Sequence, residues 1–564
     1  MTPERLLAHY ERIADAPDAV ARLRRFVLDL AVRGKLVPQD AGDEPASELL
    51  KRIATEKARL AKTGEIKRDK PSFVTSDPVF DFDIAAGWTA AYLGDLSVCL
   101  DYRRVPINST ERESRIEGKA PEDLFPYYGA TQQQGWIDDY LFDGEFVLLG
   151  EDGAPFHEPL RTKAYIITGK SWVNNHAHVF QGILISPRFL VHYLNVFDYA
   201  GRVVGATRAK LNQAQALVIP VALPPLAEQH RIVAKVDELM ALCDRLEAAR
   251  AEREATRDRL AAASLARLNA PDPDTFADDA SFALHALPAL TTRPDQIKQL
   301  RQTILNLAVR GELVRQNPKD EPASNLLIRL SKLRSISEST GRGRSSTGKA
   351  RSDFDGVQDF TIPSTWAWAR LVEIGKTQTG TSPSSNNPDL FGNFIPFIKP
   401  SDLDGPHIHY DGPGLSEIGV NHSRLAPPNS VLMVCIGATL GKVNTTTRSI
   451  CFNQQINALT PFIDEHSAFI ALALKATGFQ ALAWSKAGTG TLPIISKGKW
   501  EQLPIPLPPL AEQHRIVARV DELMALCDRL ERGLATAANI RRHLLDALLA
   551  EALAPVETEL AAAE

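Results

Sequence analysis

Apolar residues recur along this chain in two rhythms, and the change from one to the other divides it into blocks. Ile232, Val236, Leu239, Cys243 and Leu246 step by four, three, four and three positions, and Ile516, Val520, Leu523, Cys527 and Leu530 repeat those steps. A 3.5-residue spacing is the seam of a coiled coil. Pro224-Pro225 and Pro508-Pro509 stand just ahead of each stripe. Proline is tolerated only in the first turn of a helix, so both pairs end an extended segment and begin a helix. Helix-favouring residues continue to about Leu268 and Leu553. The pattern predicts two helices of roughly 40 residues, each about 60 Å long at 1.5 Å per residue. That exceeds an ordinary globular helix and suits a spacer. We expect the two to lie antiparallel, touching through Ile232, Leu239 and Leu246 on one and Ile516, Leu523 and Leu530 on the other. Val20, Leu23, Val27 and Leu30, and likewise Ile297, Leu300, Ile304 and Leu307, form shorter stripes that end at Gly34 and Gly311. Glycine just past a periodic stretch reads as a helix stop. These shorter helices, each followed by a second one, should pack on the long ones.

Between the helical blocks the rhythm changes. Residues 78–222 and 355–506 carry short apolar runs bounded by turn residues, such as FVLLG at 146–150, AYIITG at 164–169 and VLMVCIG at 431–437. Such runs predict mixed α/β domains. Both open alike, with Ile84, Trp88 and Leu93 matching Ile362, Trp366 and Leu371. The two segments otherwise differ, yet this opening predicts one fold for both.

The frame around them is an internal repeat. Residues 223–247 read LPPLAEQHRIVAKVDELMALCDRLE, and 507–531 differ from them only in Arg519 for Lys235. LAVRGKL at 30–36 answers LAVRGEL at 307–313, and EPAS follows each, at 44–47 and 321–324. A repeat of this kind fixes the architecture before any local motif is read. The expected fold class is α+β: two globular mixed α/β domains separated by two long antiparallel coiled-coil helices, with internal duplication and pseudo-two-fold symmetry. The expected blocks are 1–77 and 271–354 (helical region, the second preceded by a connector), 78–222 and 355–506 (globular), and 223–270 and 507–564 (long helix). A Pro/Asp/Ala-rich connector at 272–290 and linkers at 61–77 and 335–351 complete the organisation.

Composition narrows the function. With 44% hydrophobic and 24% charged residues the chain has the balance of a globular protein, and it contains no apolar run long enough to span a membrane. Its beginning is charged and lacks a secretion-type apolar core. Five cysteines (Cys99, Cys243, Cys435, Cys451, Cys527) show no metal-binding spacing, which predicts a reduced, cytoplasmic setting. Cys243 and Cys527 lie in the apolar stripes and are expected in the core. The net charge of −5 opposes a simple nucleic-acid binder, so any contact with DNA must use local positive charge or a partner's.

Two variable domains, each bracketed by a repeated helical region, resemble the specificity subunit of type I restriction-modification systems. The LPPLAEQHRIV segment closing each variable domain is the most specific feature. DYRRVPI at 101–107, FPYYGA at 125–130 and YLFDGEFVLLGEDG at 140–153 resemble that family's target-recognition domain. TGTSPSSNN at 379–387, IPFIKPSDL at 395–403 and NQQINA at 453–458 resemble another branch of it. The resemblance implies a non-catalytic subunit in which each domain reads half of a bipartite double-stranded DNA target. It further implies two methyltransferase subunits docked on the helices, S-adenosylmethionine on those partners with no cofactor in this chain, and a separate motor-nuclease subunit for cleavage.

A base reader needs bidentate donors for base edges and polar groups for phosphates. In the first domain, Gln132, Gln133 and Gln134 lie between Gly129 and Gly135, an expected loop whose amides suit adenine. Arg103 and Arg104 precede Pro106 and suit guanine or phosphate. Arg202, Arg208 and Lys210 form a third basic group. In the second domain, Ser382, Ser384, Ser385, Asn386 and Asn387 form a polar loop, with Lys399, Lys497 and Lys499 as candidate phosphate contacts. Asn174, Asn175, Asn453 and Gln454 border strand patterns and are expected to make structural hydrogen bonds.

No catalytic motif survives inspection. GRSSTGKA at 343–350 lacks the closing Ser/Thr of a phosphate loop and follows no strand; GATLGK at 437–442 is one residue short. Gly488 and Gly490 have no third glycine at dinucleotide-loop spacing, and no NPPY-like segment occurs to hold a flipped base. Glu65 and Lys67 lack a preceding strand aspartate. His230 and His514, duplicated beside Glu228 and Glu512, suit packing or partner contact. Neither metal nor catalytic residues are expected. The competing expectation is a non-catalytic adaptor, a duplicated coiled-coil scaffold whose domains bind proteins and not DNA.

Overall fold

The computed structural model describes residues 15–67, 77–205, 209–269, 282, 286, 291–340, 360–405, 407–488 and 492–553. The chain divides into two compact units, Met1–Glu254 with Ala537–Glu564, and Ala255–Thr536.

In the first unit, helices Ala19–Val32 and Ala46–Thr63 precede the variable domain. Its strands are β1 (Thr89–Tyr92), β2 (Ser97–Cys99), β3 (Phe125–Tyr128), β4 (Gln133–Ile137), β5 (Glu145–Gly150), β6 (Ala164–Thr168), β7 (Trp172–Val173), β8 (Ala177–Gly182) and β9 (Pro220–Leu223). The main sheet runs β2-β8-β5-β6 and is antiparallel throughout. Phe146–Gly150 is buried without alternation, as expected of a strand covered on both faces. Helix Pro187–Val196 supplies part of that cover with Phe189, Leu190, Tyr193 and Leu194. Its start is set by Ser186, whose hydroxyl accepts from the Phe189 amide, and by proline at the first helical position. A smaller sheet, β4-β3-β7, sits beside it, with β3 and β7 parallel. β1 and β9 pair antiparallel and bring both ends of the domain together ahead of the double proline.

The second unit repeats this plan. Its strands are β10 (Ala367–Arg370), β11 (Gly375–Thr379), β12 (Phe391–Gly392), β13 (Phe397–Ile398), β14 (Gly414–Leu415), β15 (Leu425–Ala426), β16 (Val431–Val434), β17 (Val443–Thr445), β18 (Ile450–Phe452), β19 (Ile456–Pro461) and β20 (Pro504–Leu507). The main sheet is β11-β19-β16-β17, and β10 pairs β20 as β1 pairs β9. The registers correspond: Ser97 faces Gly182 as Gly375 faces Pro461, and Val147 faces Phe180 as Val431 faces Leu459. β13 and β18 are parallel, like β3 and β7. The two middles therefore share a fold although their sequences diverge.

The repeated LPPLAEQHRIV segment forms the same clasp in each unit. Trp88 Nε1 donates to Glu228 Oε2 at 3.0 Å, Gln39 Nε2 donates to Glu228 Oε1 at 2.8 Å, and Arg231 pairs with Asp43 at 2.6 Å. In the second unit Trp366 and Gln316 donate to Glu512 at 3.0 and 2.6 Å, and Arg515 pairs with Asp320 at 2.6 Å. Gln229 and Gln513 are fully buried and cap the carbonyls of Pro224 and Pro508. The motif thus welds the long helix, the tryptophan opening the variable domain and the EPAS loop into one piece. Its glutamates are structural, and burial raises the pKa of both. His230 and His514 are exposed, which removes packing from the two roles expected of them and leaves partner contact.

The long helices run Leu226–Asn269 and Leu510–Leu553, 44 residues each, close to their expected bounds. Their stripes are used differently from the expected mutual seam. Ile232 and Val236 belong to the core of the first unit, with Leu239 packed against it. Ile516, Val520 and Cys527 belong to the core of the second, with Leu523 and Leu530 against it. Leu246 is half-buried. The partner of each stripe is the short helix of its own unit: Arg24 bonds Asp244 and Glu247 at 2.6 and 2.8 Å, and Arg301 bonds Asp528 and Glu531 at 2.7 and 3.0 Å. Each stripe is spent on the core of its own unit.

The C-terminal turns of the long helices also have defined places. In the first unit Ala16 and Ala19 pack with Leu545 and Leu548, and Arg22 bonds Asp546. In the second unit Leu265 and Leu268 pack with Leu300, and Asp258 accepts from Arg293 and Gln296 at 2.6 and 2.9 Å. The two expected linkers begin later than the composition suggests, because helices continue to Thr63 and Thr340. Most of the connector at 272–290, the rest of the linker at 335–351 and the GRSSTGKA segment lie outside the described residues. All five cysteines are buried and free. Among the described residues no single helix is long and apolar enough to cross a membrane.

Candidate nucleic-acid interface

The predicted reading loops leave corresponding strands. In the first unit the chain passes from β2 into a short turn at Asp101–Arg103; in the second it passes from β11 into the polar loop after Thr379. By the shared register Asp101 corresponds to Thr379 and His178 to Asn457.

In the first unit Arg103 is exposed, donates to the Leu141 carbonyl at 2.7 Å and lies 5.0 Å over the Phe142 ring. Tyr102 and Val105 on the same turn are both 48% exposed. Arg104 is a correction. Its side chain turns inward to Asp101 at 3.1 Å, Glu151 at 2.8 Å and the Ala177 carbonyl at 2.6 Å. A guanidinium with those bonds already made is not offered to DNA. The three glutamines are exposed as expected, but Gln133 and Gln134 begin β4 and only Gln132 lies in the bend before it. Arg202 is also a correction: it is half-buried, donates to the Val218 carbonyl at 3.2 Å and packs on Phe197. Lys210 is exposed and pairs with Glu151 at 3.4 Å. Arg208 lies outside the described residues.

The small sheet carries a basic and aromatic face that the sequence reading missed. Helix Ser109–Ile116 is capped by Asn108 and presents Arg112 and Arg115 three residues apart. Arg112 lies 4.8 Å over Tyr127 and Arg115 5.0 Å over Trp172, while Lys170 lies 4.7 Å over Tyr140. Stacking of this kind holds a cation at the surface without neutralising it. Trp136 on β4, opposite Pro126, is 47% exposed. Arg115 and Lys119 both bond Asp138, and Lys119 foremost holds that carboxyl below its usual pKa. The i, i+3 arginines in STERESRI were the available signal. The acids in the same segment and its lack of an apolar stripe mask that signal.

In the second unit Ser382, Ser384, Ser385, Asn386 and Asn387 are all exposed. The loop is fastened rather than free. The Gly380 amide donates to Ile456 O and the Thr381 amide to Phe452 O, both at 3.0 Å, and Ser382 bonds Gln454. A Cβ on Gly380 would meet the Asn453 carbonyl at 2.2 Å, so the close approach demands glycine there. Asn453 itself accepts from the Gln455 amide at 2.6 Å, as Asn174 accepts from His176 at 2.9 Å in the first unit. These asparagines are structural, as expected. Lys399 is exposed, and Lys499 is exposed and reaches the Lys486 carbonyl at 3.3 Å. Lys497 is half-buried in an ion pair with Glu501, a correction to its place among phosphate contacts.

Two domains on one plan, each presenting a polar or basic loop from the same strand end, define a duplicated recognition protein. The chain belongs to the family described as the type I restriction modification DNA specificity domain, which matches residues 88–254 and 363–539. It is 29% identical to the type I restriction enzyme EcoEI specificity subunit of Escherichia coli, over 95% of this chain and 94% of that one. To the EcoAI specificity subunit of the same organism it is 28% identical, over 94% of this chain and 93% of the other. Among solved structures, the HsdS subunit from Thermoanaerobacter tengcongensis is similar at 18% identity and a TM-score of 0.38, covering 83% of this chain and 97% of that one.

Proposed function

We propose that this chain is a non-catalytic, sequence-specific reader of double-stranded DNA that recognises a bipartite target, one half-site per variable domain. The observation that carries this is the equivalent origin of the two candidate reading loops, on folds of one plan with different side chains. A common frame with divergent tips suits two independent half-sites. The first domain presents Arg103, Gln132, Gln133 and Gln134, with Arg112, Lys170 and Trp136 nearby. The second presents Ser382, Ser384, Ser385, Asn386, Asn387 and Lys399.

The reading extends to partners. Two methyltransferase subunits, carrying S-adenosylmethionine, dock on the duplicated helices and supply much of the phosphate contact that a chain of net charge −5 lacks. A motor-nuclease subunit joins for cleavage, in the cytoplasm. The long helices act as an antiparallel spacer that fixes the unread gap between half-sites, and duplication gives the subunit a pseudo-two-fold axis matching one methyltransferase per half. Replacing residues 78–222 with a foreign domain of the family and sequencing the methylome of the host tests this. One half of the methylated motif should change and the other persist. A change in both halves, or no DNA methylation by the assembled complex, would sink the assignment.

A further inference from the structure

At one end of the first unit's main sheet lies a buried cluster of charges that the second unit lacks. His178, fully buried on β8, places Nδ1 2.6 Å from Asp101 Oδ2 and Nε2 2.9 Å from the Leu211 carbonyl. Both ring nitrogens face oxygen atoms, one of a carboxylate and one of a backbone carbonyl. Asp101 also accepts from the Val179 amide at 2.9 Å through its other oxygen. Arg104 bridges Asp101 and Glu151, and Lys210 closes on Glu151 from the 204–210 pairing. Burial pushes the Asp101 pKa up, but His178, Arg104 and the Val179 amide outweigh it and hold the carboxyl below its usual value. Four chain segments thus meet here: the turn after β2, the end of β5, β8, and Lys210 with Leu211.

Register places Thr379, Asn457 and Cys435 of the second unit where Asp101, His178 and Glu151 stand in the first. Thr379 Oγ1 donates to Asn457 Oδ1 at 2.7 Å. The same fold therefore closes this end with a neutral pair in the second unit. What the charges add is leverage on the turn between Asp101 and Arg104, which holds Tyr102 and Arg103 outward. Bonds to buried ions are stronger than neutral ones, and Arg104 clamps two segments at once. Cys99 neighbours the cluster, giving a Cys99, Asp101 and His178 trio. Its thiol accepts from Gln213 Nε2 at 3.0 Å, and burial pushes its pKa up to about 12. With Arg104 on Asp101 as well, the hydrogen-bonding positions are filled without a metal.

We propose that Asp101, Arg104, Glu151 and His178 are positioning residues for base discrimination in the first half-site, acting through the turn that presents Tyr102 and Arg103. This rests on the DNA-reading function proposed above. The test is the double substitution Asp101→Thr with His178→Asn, which imports the second unit's neutral pair, alongside Arg104→Gln. Each is assembled with its methyltransferase partners and measured on DNA duplexes carrying single base changes in either half of the target, the target having been found by methylome sequencing. Both variants should lose at least tenfold in discrimination at the first half-site, keep it at the second and keep a cooperative melt. Unchanged discrimination in both variants would overturn the proposal. So would an equal loss at both half-sites with collapse of the melt, or stoichiometric zinc uptake abolished by His178→Asn. A wild-type complex that fails to discriminate at either half-site would bring down the DNA-reading function itself, and the positioning role with it.

Discussion

The indole of Trp88 and the carboxylate of Glu228, 140 residues apart in sequence, meet at 3.0 Å in a buried hydrogen bond, and the bond recurs between Trp366 and Glu512. Removing the donor leaves a buried carboxylate oxygen without its partner, which costs about 1–3 kcal/mol. Trp88→Phe should therefore destabilise the first unit by about that amount, and Trp366→Phe the second. Limited proteolysis with mass mapping would assign each loss to its unit. Equal sensitivity of both units to either substitution would contradict the separateness of the two clasps.

Ile232 and Ile516 are fully buried at equivalent places in separate cores. Truncating such a side chain to alanine costs about 2–5 kcal/mol. Ile232→Ala should lower the protection of β5 and β8 amides in hydrogen exchange and leave β16 and β19 unaffected. Ile516→Ala should do the reverse. A shared loss would restore the mutual seam that the periodicity suggested.

Glu312, just past helix Pro294–Arg310, is pushed up to about 7 by burial, with Arg310 opposing. Its folded pKa lies above its unfolded value near 4.5, so the folded state prefers the protonated form. That preference stabilises fully below about pH 4.5 and is lost as pH rises through about 7. Glu312→Gln should leave stability at pH 5 little changed and raise it at pH 8, by about 1–3 kcal/mol after allowing for its partial exposure. Thermal melts across that range decide it; a parallel shift at both pH values would be wrong for this cause.

Lys170, exposed over Tyr140, and Arg112, half-buried over Tyr127 with Nη1 3.4 Å from the Gln134 carbonyl, are the cations of this face that could reach phosphate. Alanine at either should weaken DNA binding by the assembled complex without relaxing its sequence preference. Each should lower the slope of log K against log salt by about 1. Loss of discrimination at an unchanged slope would move them among the base readers.

Gly380 approaches the Asn453 carbonyl too closely to carry a side chain. Gly380→Ala should disturb the loop holding Ser382–Asn387 and so affect reading of the second half-site alone. Methylation assays on half-site variants would show it.

How far the sequence could be read depended on the kind of signal. The long helices were legible almost to the residue, because double prolines mark their starts and 3.5-residue stripes their faces. The role of those stripes was not, since periodicity says that a face is buried but not against what. Ile232 looks the same whether its neighbour is another long helix or the short helix bearing Arg24. The shared fold of the middles was legible only in their openings, where Ile84, Trp88 and Leu93 match Ile362, Trp366 and Leu371. The correspondence of Asp101 with Thr379, and of His178 with Asn457, appears only in strand register, where charged and neutral pairs replace each other. Arg104 and Lys497 misled because exposure was inferred from loop composition, whereas each is held by carboxylates distant in sequence or one turn away. Arg112 and Arg115 went unnoticed because their value lies in the rings beneath them.

The first unit contains the turns of the second long helix around Leu545 and Leu548, which cover Ala16 and Ala19. A ribosome makes those turns only after it has made the whole of the second reading domain. During synthesis, then, Ala16 and Ala19 wait bare until Leu545 and Leu548 have been made. A message cut short after residue 506 would release a protein with both variable domains present and Ala16 and Ala19 uncovered. Completion of the first half is thereby a report that the second has been made.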